Sequence, residues 1–115
     1  PSQSPAKPPA GHALIKVITD FLDDHKITEI VTIDLKGKTS IADALIIATG
    51  RSQKHISMIA QALHNHLKQA GLRHMALEGL PSSEWVLIDT GSVIVHLFCP
   101  HNRSIYDLEK MWGAF

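Results

Sequence analysis

The stretch Ile41-Ala42-Asp43-Ala44-Leu45-Ile46-Ile47-Ala48-Thr49 is an almost unbroken apolar run that stops at Gly50-Arg51-Ser52. An apolar run bounded by turn residues reads as a strand covered on both sides, which predicts an interior strand. Ser52 is well placed to cap a following helix, in which Ile56, Ile59, Ala60, Leu63 and Leu67 form one stripe. Gly71 supplies its stop. Leu72 to Leu77 then reads as another strand, and a strand, helix, strand unit of this length normally crosses right-handed to a parallel neighbour. Upstream, Ile27 to Leu35 is rich in β-branched residues and Lys36-Gly37-Lys38 makes a turn, so these two strands should pair antiparallel. Leu14, Val17, Ile18 and Phe21 mark an amphipathic helix that ends near His25. Downstream, Glu78 to Ser83 is a loop, and Trp85 to Asp89 and Ser92 to Phe98 are strands joined tightly at Thr90-Gly91. Pro100 ends the sheet, and Ile105, Leu108, Met111 and Trp112 mark a C-terminal helix. The expected class is α/β, with a mixed five-stranded sheet flanked by helices.

A chain of 115 residues suits one core. Pro1, Pro5, Pro8 and Pro9 make residues 1–11 a poor helix or strand, so they read as a flexible leader before a domain over 12–115. That leader lacks the apolar stretch of a secretory signal. Runs such as Val93-Ile94-Val95 fall far short of the roughly 20 residues that span a bilayer, so no membrane association is expected. Cys99 is the single cysteine, which excludes an internal disulfide and fits a reducing, cytoplasmic setting. Its expected role is packing at a strand end. Eleven Lys and Arg balance eleven Asp and Glu, so no strong phosphate-seeking field surrounds the chain as a whole. Direct nucleic-acid contact should not dominate, and binding to an RNA-containing partner should depend only modestly on salt.

Gly50-Arg51-Ser52 resembles the start of a nucleophile elbow, but Lys54 stands where G-x-S-x-G needs glycine. Capping is the simpler role for Ser52. The same turn could hold an anion, yet it lacks the glycine patterns of phosphate and dinucleotide loops. His64 and His66, two apart on a helix, point to different sides. His96, Cys99 and His101 lack a fourth ligand and a recognised spacing, so neither a metal nor another cofactor is expected. Asp34, Asp43 and Asp89 are isolated carboxylates without the Asp-x-Asp pairing that holds two metals.

The hairpin is more informative. With Thr90-Gly91 as its loop, Leu87 pairs with Ile94 and Trp85 with His96; moving the loop to Gly91-Ser92 changes partners but preserves faces. Val86, Ile88, Val93, Val95 and Leu97 form an apolar core face. Trp85, Leu87, Asp89, Ile94, His96 and Phe98 share the opposite, mixed face. Such a mixture suits either a protein interface or a cover by the terminal helix. On that helix Tyr106, Glu109 and Gly113 form a stripe offset from the core stripe, which leaves Tyr106 free to face a partner.

The segments Asp34-Leu35-Lys36-Gly37-Lys38-Thr39-Ser40, Ala42-Asp43, Ile46-Ile47-Ala48-Thr49-Gly50 and Ser52-Gln53-Lys54-His55 occur here in order. Glu78-Gly79, Trp85-Val86-Leu87-Ile88-Asp89, Gly91, Val93-Ile94-Val95-His96, Arg103 and Tyr106-Asp107-Leu108-Glu109-Lys110-Met111-Trp112 follow. Together they resemble the ribosomal silencing factor, or Iojap, family from about Leu14 to Gly113. Two positions depart from it: Ala44-Leu45 stands where family members commonly carry an aromatic pair or an aromatic and an apolar residue, and Ser92 where an aspartate is usual. The resemblance implies a translational repressor that binds the large-subunit ribosomal protein numbered fourteen at the intersubunit face and blocks small-subunit joining. It also implies a homodimer when free. Asp43, Trp85, Asp89, Gly91, Ser92, His96, Tyr106 and Glu109 are the expected partner-binding residues. The family fold is similar to that of nucleotidyltransferases, so the competing reading is an enzyme transferring a nucleotide or processing a phosphate ester. Fold likeness alone is a weak functional argument, and the carboxylate pair is missing.

Overall fold

The computed structural model describes residues 11–38, 40–79 and 85–100. Helix α1 (Gly11–Asp24) buries Leu14, Ile18 and Leu22, whose four-residue steps put them on one face. Its end is a Schellman turn: Lys26 takes φ 68°, its N–H bonds Asp23 O, and Ile27 N–H bonds Leu22 O at 3.0 Å. The chain enters β1 (Thr28–Asp34), which pairs antiparallel with β2 (Ala44–Thr49). A bulge interrupts this ladder between Thr28 and Val31, where Glu29 has φ 50°. Every residue of β2 is buried, as its apolar run requires.

Helix α2 (Gln53–Gln69) starts at Ser52, whose Oγ accepts the His55 N–H at 3.1 Å. It ends in a second Schellman turn, with Gly71 at φ 104° and Leu72 N–H bonded to Leu67 O. After it come β3 (Ala76–Glu78), β4 (Trp85–Asp89) and β5 (Val93–Phe98). The sheet runs β1-β2-β5-β4-β3, with β2 and β5 parallel and the other pairs antiparallel. One core lies where α1 and α2 cover Ala44, Ile46, Ala48, Val86, Ile88, Val93, Val95 and Leu97. Cys99 joins it at the end of β5. The opposite sheet face carries Ile33, Leu35, Leu45, Ile47 and Phe98, all buried. Each such aliphatic side chain contributes about 1.5–3 kcal/mol by leaving water.

Four expectations change. The strand after α2 is not the neighbour of β2; β5 takes that place and β3 lies at the sheet edge. Interior positions need strands apolar on both sides, and only Ile94 of β5 is less than buried, whereas β3 exposes Ala76 and Glu78. Leu72 belongs to the turn after α2 and not to a strand. The apolar run also begins before its strand: Ile41 is 66% exposed in the connection, while Ala42 and Leu35 tuck into the second cluster. Finally, the hairpin loop is Gly91-Ser92, since Thr90 N–H bonds Val93 O and Asp89 pairs with Ile94. Gly91 has φ 96°, which the first loop position of a type II′ turn requires. The leader's first ten residues and the expected C-terminal helix lie outside the described residues.

Candidate functional site

The β4–β5 hairpin separates its two faces as alternation demands. Val86, Ile88, Val93, Val95 and Leu97 are fully buried toward the helices. Across the ladder Trp85 faces Phe98, Leu87 faces His96, and Asp89 faces Ile94. Trp85 and His96, diagonal neighbours on one face, are joined by a hydrogen bond: the indole Nε1–H donates to His96 Nδ1 at 2.9 Å. Their rings stack at 5.6 Å, and Trp85 stacks on Phe98 at 5.4 Å. Phe98 is a fully buried floor, while Trp85, Leu87, Asp89 and Ile94 are half-buried. An aromatic side chain whose polar end is satisfied and whose body is part-exposed is suited to meet another protein.

The indole also fixes the state of its partner. Nδ1 accepts a hydrogen bond, so it is unprotonated and the imidazole is the neutral Nε2–H form. Burial holds the His96 pKa down from 6.5 to about 4. His96 therefore acts as a neutral brace for Trp85, and its Nδ1 is engaged. Among the described residues no group of three His, Cys, Asp or Glu could hold a metal.

Gly79 sets the position of Trp85 from the other side. With φ 102°, it lies so close that a Cβ there would collide with the Trp85 carbonyl oxygen. Glu78, Gly79, Trp85 and Leu87 line a shallow cavity of about 210 Å³. Leu87 and Glu78 were not among the expected contact residues. The signal for Leu87 was its place on the mixed face, and for Glu78 its adjacency to the glycine.

Asp89, Gly91, Ser92 and Asp43 gather at the turn end of the hairpin. Asp89 Oδ1 accepts the Gly91 N–H at 2.8 Å, and Ser92 O accepts the Asp43 N–H at 2.7 Å. These bonds tie the turn to the approach of β2. Asp43 itself lines a cavity of about 260 Å³ with Asp34 and Lys36 on the α1 side, away from Trp85. The predicted residues thus fall into two groups, a Trp85 and His96 pair and a turn cluster. Tyr106 and Glu109 lie outside the described residues.

At the α2 start, Ser52 is the cap that its sequence position predicted. His55 completes it: Nδ1 accepts the Arg51 N–H at 3.0 Å and Nε2–H donates to His25 O at 3.0 Å. One imidazole thereby links the ends of α1 and α2. Ser52→Ala is expected to cost about 0.5–2 kcal/mol of stability in urea denaturation while leaving partner binding unchanged. A loss of binding at undiminished stability would give Ser52 a contact role.

A family model described as ribosomal silencing factor during starvation matches residues 8–114. The ribosomal silencing factor RsfS of Zymomonas mobilis is 50% identical over 100 residues, covering 87% of this chain and 75% of that protein. A mouse protein named mitochondrial assembly of ribosomal large subunit protein 1 is 28% identical over 101 residues, covering 85% of this chain and 44% of that one. A crystal structure of a Chromobacterium violaceum protein superposes with a TM-score of 0.83 at 37% identity, covering 87% of this chain and 83% of the other. The fold, the order of its motifs and a half-identical relative agree, and the chain belongs to the ribosomal silencing factor family.

Proposed function

We propose that this protein represses translation by binding the large ribosomal subunit at its intersubunit face, where it blocks joining of the small subunit. The observation that carries the reading is the family match across residues 8–114. The family is one of ribosome-binding factors and not of enzymes, which leaves the nucleotidyltransferase alternative without support. The mouse relative named for large-subunit assembly favours the same subunit. No described helix is long and apolar enough to cross a membrane, and the protein acts in the cytoplasm under this reading.

The proposed partner is the large-subunit protein numbered fourteen, and the free protein is a homodimer. The proposed contact comprises Trp85 and His96, the turn residues Asp89, Gly91 and Ser92 with Asp43, and Tyr106 and Glu109 beyond them. What supports it on the hairpin is the half-buried Trp85, held by His96 and flanked by the part-exposed Leu87 and Ile94. A well-packed aromatic at an interface centre carries about 2 kcal/mol or more, roughly a thirtyfold change in affinity.

Co-sedimentation with purified large subunits tests the function. The protein is expected in the subunit pellet, and its addition should lower the yield of joined ribosomes. Failure to pellet at moderate salt would end the proposal. Trp85→Ala should weaken binding by about thirtyfold in a chain that circular dichroism shows to be folded. Wild-type affinity in that folded variant would remove Trp85 from the contact.

A further inference from the structure

Net neutrality hides a segregation of charge. Between Ala44 and Leu77 the chain carries Arg51, Lys54, Lys68 and Arg73 and four histidines, with no aspartate or glutamate. That segment contains α2 and its flanking turns. At the C-terminal end of α2 a groove of about 470 Å³ is lined by His64, Lys68, Leu72, Arg73, His74 and Met75. Leu72 is buried and Met75 half-buried, whereas Lys68, Arg73 and His74 are exposed. Among the described residues neither Lys68 nor Arg73 forms an ion pair.

Helix electrostatics explains only part of this cluster. Cations in a last turn complement the helix dipole, which accounts for Lys68. Arg73 and His74 follow the Schellman turn and gain nothing from it. Like charges gathered without counter-ions repel one another, so the arrangement favours an external anion. His64 and Lys68, four apart, share one helix face, and the turn brings Arg73 beside them.

We infer that this groove contacts the phosphate backbone of ribosomal RNA. The inference rests on the proposed ribosome binding and adds a second contact to it. The groove leads directly into β3, whose Glu78 pairs with Leu87 of the strand that carries Trp85. The basic groove and the Trp85 patch therefore lie toward the same edge of the sheet, one on its helix-covered face and the other on the opposite face, so a partner surface that wraps this edge, with RNA adjoining protein, would meet both. A polyanion satisfies several spaced cations at once, and an arginine or imidazole plane can stack on an unpaired base. Two or three phosphate contacts keep the salt dependence shallow, in keeping with a chain of zero net charge.

The test uses the full chain and a Lys68→Gln, Arg73→Gln double variant, both exposed sites, with melts to verify folding. Affinity for purified large subunits is measured across roughly 50 to 200 mM potassium chloride. The variant's plot of log affinity against log salt is expected to be shallower by about 1.5–2. In a second arm a short RNA hairpin is added to the labelled protein, and amide shifts should cluster at residues 64–75 and vanish in the variant. An unchanged slope, or RNA-induced shifts elsewhere, overturns the inference and leaves binding through the β4–β5 hairpin standing. Shifts of these amides by phosphatidylglycerol vesicles but not by RNA would overturn it in favour of lipid. If the protein does not pellet with large subunits, the proposed function fails and the RNA arm alone decides the groove.

Discussion

Phe98→Ala is expected to lower the free energy of unfolding by about 3–5 kcal/mol. Phe98 is fully buried at the end of β5, in the sheet face shared with Ile33, Leu45 and Ile47. Truncation removes its apolar area from the core and leaves a void that a sheet, pinned on both sides by β2 and β4, can close only in part. The loss is a large fraction of the 5–15 kcal/mol typical of a domain. Trp85 would also lose the ring on which it stacks at 5.4 Å. Urea denaturation gives the value, with Phe98→Leu as the milder comparison. A loss under about 1 kcal/mol would mean that this face is loosely packed.

Acidification should destabilise the protein through His96. In the folded chain its pKa is held near 4 by burial, against 6.5 when exposed. Between those values the unfolded chain binds more protons, so stability rises with pH from about 4 to 6.5 and is fully present above. That gap corresponds to ~3 kcal/mol lost on acidification. Protonation would also put a hydrogen on Nδ1, where the Trp85 indole already donates. Thermal melts from pH 7 to 4 should converge for wild type and His96→Gln, because the variant lacks the titrating ring while its amide oxygen can still accept the indole hydrogen. Parallel curves would show that His96 does not govern acid stability.

Much of this arrangement is legible in the residues. Ser52 and the α2 stripe, the buried run of β2, and the two faces of the hairpin all follow from local periodicity, which is insensitive to distant packing. The place of β3 is not local: alternation tells which side of a strand is buried but not which strand lies beside it. The burial of β5 on both faces decided that. The hairpin loop sits one position later than expected, which shifts the ladder by two residues, because Thr90-Gly91 and Gly91-Ser92 are both acceptable loops; the Thr90–Val93 bond, with the left-handed Gly91 first in the loop, selects between them. Likewise, Trp85 and His96 share a face by parity, but their hydrogen bond depends on the register. Whole-chain charge misled in another way, since a sum of zero is silent about an acid-free segment of the chain. Tyr106 and Glu109 remain expectations drawn from spacing and family likeness.

The bulge in β1 has a bearing on how the protein behaves in a crowded cell. An edge strand with regular backbone is a template for foreign strands, which can add to it and start aggregates. Here the outermost strand among the described residues is interrupted at Glu29, where the left-handed backbone and the break in register spoil an even ladder of N–H and C=O groups. The opposite edge is a strand of only three residues. With one margin bent and the other cut short, a sheet this rich in isoleucine and valine offers little for stray chains to zip onto.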